Sequence, residues 1–237
     1  MGWRRVAGCC GTEVRMADAT KVLLIPGWHG SPDGHWQTIW ERGGWRHARR
    51  IEQRDWVAAE RADWVRGVEE SVTGPVSLVA HSLGVLTVAH WAAESGKTRC
   101  VAGAFLVAPP DPESMATFPA ELASFANVPM GRLPFPAAVV GSETDPYARL
   151  ERVEALARAW GARLVNVGAA GHINAASGHG EWTEGKSKAH RLTCFQQCPD
   201  PLQAQLFPTL HADDQSPACA TSPPSGSSCM RQDATPQ

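Results

Sequence analysis

The chain has 237 residues, 43% apolar and 19% charged, with a formal net charge of −2. That length holds one α/β domain with a full core and leaves a remainder, and the charge balance lacks the basic footprint of a nucleic-acid binder. No apolar run approaches the ~20 residues that span a bilayer, and the N-terminal residues hold no apolar stretch long enough for a secretion signal. A cytoplasmic protein with no membrane attachment is therefore expected.

Residues 1–19 read as an irregular leader, with Met16 as an alternative start directly ahead of the first strand. Residues 20–185 read as the folded domain. Residues 186–237, rich in Ser, Pro, Gln, Cys and Thr and without a sustained period, read as a low-order tail. In the domain, short apolar runs predict strands over 21–25, 46–51, 76–80, 101–107, 137–140 and 163–167. Runs such as VLLI and VSLVA are continuous rather than alternating, as suits strands buried on both faces. Helices are expected between them, over 34–42, 60–72, 83–94, 119–125 and 146–160. In the second, Trp64, Val65 and Val68 form an apolar stripe at helical spacing. The alternation implies an open, mainly parallel, doubly wound sheet with its site at the carboxyl ends of the strands.

The run Val76 to Leu86, VSLVAHSLGVL, puts Ser82 between a buried strand and a helix, with Ala80 and Gly84 two residues to either side. A serine on such a sharp turn needs small neighbours so that strand and helix can cross closely, the logic of the G-x-S-x-G elbow. The competing reading makes Ser82 only the N-cap of the helix. A serine hydroxyl needs a base to take its proton, and the base needs a partner to fix its tautomer. Asp145 follows the fifth strand and His172 lies in the glycine-rich loop after the sixth, giving the order Ser, acid, His. Glu143 and Asp111 compete as the acid, Asp145 could instead cap the next helix, and His179 is the nearest other histidine. His81 reads as a packing or hydrogen-bonding residue. Two N–H donors for an oxyanion are expected from Leu83, at the helix start, and Trp28, in the loop after the first strand. Gly27, His29, Ser31 and Asn174 are expected to line or support the substrate pocket. No Walker or dinucleotide glycine motif is present, and His190, Cys194, Cys198 and His211 lack paired zinc-ligand spacing. Neither cofactor nor metal is expected.

With these residues in hand, the chain resembles the small serine hydrolases related to retinoblastoma-binding protein 9, a branch of the α/β-hydrolases. The resemblance runs over about residues 20–185, on PGWHGSPDGHWQTIWE, QRDW followed by DWV, LVAHSLG, GSETDPY and GHINAASGHGEW. It implies a three-layer α/β-hydrolase-type fold with a minimal lid, a Ser82–Asp145–His172 triad, and small ester or amide substrates. The family namesake's Leu-x-Cys-x-Glu partner motif is not carried over, because Gln196 stands where Glu is needed. The resemblance also implies a terminal helix packed on the sheet, which the composition beyond residue 185 does not suggest. A shifted reading frame near that point would account for the difference.

Overall fold

The computed structural model describes residues 21–114 and 119–194. The proposed leader, and the tail from residue 195 onward with Cys198 and His211, lie outside the described residues.

Six strands form one all-parallel sheet: β1 (Lys21–Ile25), β2 (Arg49–Arg50), β3 (Val76–His81), β4 (Val101–Val107), β5 (Ala137–Gly141) and β6 (Arg163–Asn166). Their spatial order is β2-β1-β3-β4-β5-β6. The chain leaves β1 toward one edge and returns to β3 on the other side, so the winding reverses between β1 and β3. Ligands bind at such a reversal, beyond the carboxyl ends of the strands.

Strand periodicity separates two cores. Leu23, Ile25, Leu78, Ala80, Leu106 and Val139 face one side, where they pack with Trp64 and Val68 of α2 (Arg61–Ser71), Leu86 of α3 (Leu83–Glu94) and Trp160 of α4 (Leu150–Trp160). Val22, Leu24, Val79, Phe105 and Val140 face the other side, beneath Trp36 and Trp40 of α1 (Trp36–Arg42) and Ala189 of α5 (Thr183–Cys194). Helices on both faces are what continuous apolar strands require, since a bare face would leave them in water.

The structure corrects several sequence expectations. Helix α5 crosses the domain boundary expected at residue 185 and packs against β4, so the terminal helix is present and the domain extends at least to Cys194. The second strand shrinks from 46–51 to two residues because Gly44, Arg46 and His47 all take positive φ, which extended backbone cannot accommodate. The stretch 119–125 forms a 3₁₀ turn at Ala120–Phe125 rather than an α-helix. Helix α4 starts at Leu150, with Arg149 as its N-cap, rather than at Pro146.

Candidate active site

Ser82 follows β3 directly with φ 53° and ψ −125°, a strained positive-φ conformation, and its hydroxyl makes no capping bond to α3. The capping reading of Ser82 is thereby replaced. Two close approaches show why small residues surround it. A Cβ on Gly84 would lie 2.5 Å from the Pro26 carbonyl oxygen, and closer still to that of Ile25. A Cβ on Gly27 would lie 2.8 Å from Ser82 Cβ. Ala80 is fully buried, so the elbow accommodates its methyl.

The Ser82 hydroxyl lies 2.9 Å from Nε2 of His172, and His172 Nδ1 lies 3.0 and 2.9 Å from the two carboxylate oxygens of Asp145. With Nδ1–H donating to the carboxylate, Nε2 carries the lone pair that accepts from Ser82. The Asp145 carboxylate is almost wholly buried, and its Oδ1 also accepts the Tyr147 N–H at 2.9 Å. Because α4 begins five residues later, Asp145 does not cap it. Both rival acids are engaged elsewhere: Glu143 accepts from Asn166 Nδ2, and Asp111 pairs with Arg152. His179 packs on Trp182 and lies 3.4 Å from the Ser177 hydroxyl.

The loop after β1 passes directly over the serine. The N–H of His29 donates to Trp56 O and that of Gly30 to Gly27 O. Among the described residues no protein acceptor takes the N–H of Trp28, and the N–H of Leu83 sits in the first turn of α3, where a helix supplies no partner. The Trp28 indole is fixed by donating to Val57 O at 2.7 Å and packs against the exposed His29 ring at 4.3 Å. On the opposite flank the exposed Tyr147 ring lies edge-on to His172 at 4.5 Å. This aromatic neighbour was not anticipated from the sequence, although GSETDPY placed it two residues beyond the acid.

Two of the residues expected to line or support the pocket bond within the loops around it. Ser31 is buried, donates to Gln37 Oε1 at 2.6 Å, and its carbonyl accepts from Thr38 and Arg50. Its bonds tie the β1 loop to α1 and β2. Asn174 caps the 3₁₀ turn Ala175–Ser177 in a reciprocal exchange with Ser177. The Asn174 side chain, short and polar at a loop end, bonds to local backbone.

Three imidazoles run in sequence beneath this site. His35 packs 4.8 Å from His81, and His81 packs 4.9 Å from His172. Burial foremost, then the nearby Arg50 guanidinium and the competing His172 ring, lowers the His35 pKa to about 4. Burial likewise holds His81 well below the usual histidine range.

A doubly wound parallel sheet with helices on both faces, and a serine at a strained turn after its third strand, defines the three-layer α/β-hydrolase fold. The chain belongs to the serine hydrolase family, whose model matches residues 22–191. A crystal structure from Pectobacterium atrosepticum, described as a YdeN-like hydrolase, shares 33% identity over 76% of this chain and 92% of its own, with a TM-score of 0.65. The ydeN gene product of Bacillus subtilis shares 20% identity over 71% of this chain and 99% of its own, with a TM-score of 0.54. Carboxylesterase CesB of Bacillus subtilis shares 13% identity over 75% of this chain and 84% of its own, with a TM-score of 0.52, a likeness of fold. No curated protein matches the sequence at a significant level.

Proposed function

We propose that this chain hydrolyses small carboxylic esters or amides through an acyl-enzyme on Ser82. The observation that carries the reading is the continuous hydrogen-bond path from Ser82 through His172 to Asp145, each step about 3 Å. Ser82 Oγ attacks the carbonyl carbon while His172 Nε2 takes its proton, and the Asp145 carboxylate stabilises the imidazolium formed. The N–H groups of Leu83 and Trp28 receive the oxyanion, the first with the positive end of α3 behind it. His172 then protonates the leaving group, and water repeats the sequence on the acyl-enzyme. The segment joining β4 to β5 contributes only a 3₁₀ turn among the described residues, which favours an open site and small substrates. Kinship with the retinoblastoma-binding protein 9 branch and a cytoplasmic location belong to the same reading. Among the described residues no helix is long and apolar enough to cross a membrane.

Labelling of the purified chain with a fluorophosphonate probe, beside Ser82→Ala, tests the proposal. Labelling that disappears in Ser82→Ala is the expected result. A wild-type chain that melts cooperatively yet takes up no probe would overturn it.

A further inference from the structure

The loop carrying His172 is held from both sides. Upstream, the N–H of Ala170 donates to Ser142 Oγ at 2.9 Å and that of Gly171 to Thr144 Oγ1 at 3.0 Å, both on the loop that presents Asp145. Downstream, two consecutive carbonyls are captured by buried donors from elsewhere in the fold. The His172 carbonyl lies 2.9 Å from His81 Nε2, and the Ile173 carbonyl accepts from Trp36 Nε1 at 2.9 Å. Ile173 itself is fully buried with φ 50°. A β-branched residue rarely holds that conformation, and it persists only where its surroundings over-determine it.

We infer that His81 and Trp36 are positioning residues, which fix the peptide planes after His172 and thereby hold its Nε2 at bonding distance from Ser82. The inference rests on the hydrolase reading above and adds two residues that the reaction itself does not use. Period-2 geometry supplies the reason His81 can act in this way. Ala80 faces the α3 side of the sheet, so His81, one residue on, faces the α1 side, where Trp36 meets its ring edge-on at 5.8 Å. A carbonyl acceptor requires Nε2 of His81 to carry the proton. Burial keeps the ring neutral and that tautomer available. The residue before the nucleophile thus spans from the serine's own strand to the backbone of the base. One buried side chain sets the spacing of both partners.

The test compares acylation rates and KM on a p-nitrophenyl ester for His81→Leu, His81→Gln and Trp36→Phe, each checked by thermal melt. His81→Leu keeps most of the volume and removes the donor. Misplacement of His172 by a fraction of an ångström to about 1 Å should slow acylation by about 10- to 100-fold, with KM within about twofold of wild type. His81→Gln, whose amide nitrogen can replace Nε2, should recover most of the loss. Trp36→Phe keeps ring packing, deletes only the indole N–H, and should slow acylation by about tenfold; it also decides the matter if His81→Leu does not fold. A folded His81→Leu with the wild-type acylation rate overturns the inference, as does a His81→Gln variant as slow as His81→Leu. A wild-type chain that takes up no fluorophosphonate overturns the hydrolase reading itself, and the positioning role with it.

Discussion

Replacing Gly84 with alanine should damage both stability and turnover, and the size of each effect follows from where the new methyl would lie. Its Cβ would sit 2.5 Å from the Pro26 carbonyl oxygen and nearer still to that of Ile25, whereas ordinary van der Waals contact begins near 3.4 Å. Both obstacles are backbone, so no side-chain rotation relieves them. The end of β1 and the loop after it must retreat from α3 by at least about 0.9 Å, the difference between those two distances. Forcing an extra methyl into a packed crossing costs about 1–3 kcal/mol, or roughly 2–12 °C in melting temperature for a domain of this size. The same retreat carries away Gly27 and the Trp28 N–H, which lie just downstream on that loop. Loss of alignment at one oxyanion donor costs about 10²-fold in kcat. Thermal melts and ester turnover on purified Gly84→Ala, with Ala80→Gly as a control at the looser crossing, measure both. Gly84→Ala with wild-type melting and wild-type kcat would refute the reasoning, because the loop would then have had room to spare.

Three further predictions address other parts of the structure. Asp145→Asn should keep the fold and lower kcat by about three to four orders of magnitude, since an amide can hold His172 in the wrong tautomer; steady-state kinetics and a melt check it. Stability should fall as pH drops from about 6.5 to about 4, because the unfolded chain binds the proton that buried His35 refuses; it is retained in full above that window. The loss from His35 is about 3 kcal/mol, and His81 acts in the same direction. Urea titrations across the window should show a flatter slope for His35→Asn, which keeps an acceptor for the Gln37 N–H; equal slopes would exclude His35 as the cause. Ala189→Glu should destabilise by more than about 3 kcal/mol, because residue 189 is fully buried between α5 and the sheet. Chemical denaturation would detect it, and an unchanged midpoint would mean that α5 is not docked.

Legibility from sequence followed burial. The bounds of β1, β4 and α3 coincide with their apolar runs, since most of each is buried. Ser82 and Asp145 were legible because each follows the carboxyl end of a fully buried strand, β3 or β5, and His172 because a glycine-rich loop carries it beyond the half-exposed β6. Helix α5 was missed because only a thin seam turns inward. Ala189 is buried and Leu192 partly so, while the remainder is largely Lys, Ser, Glu, His and Arg. The signal was the spacing of Gly185, Ala189 and Leu192, with the Trp182 ring so near Gly185 that a Cβ there would collide with it. The bonds that Ser31 and Asn174 make were not legible, for a different reason. Their partners, Gln37 and Ser177, are set by turns whose shape no residue count specifies.

The tryptophan cluster beneath α1 has an optical consequence. Trp36 lies 4.5 Å from Trp40 and 5.2 Å from Trp182, Trp40 lies 4.9 Å from Trp45, and the planes of Trp40 and Trp182 are within 13° of parallel at 6.0 Å. Indoles held this close and this rigidly share their electronic transitions, which imposes handedness on their near-ultraviolet absorption. Trp182 enters the group from the last turn before α5, more than a hundred residues from the others. The docking of α5 onto the α1 side of the sheet is thus written into a circular-dichroism band, and the molecule reports it without any added label.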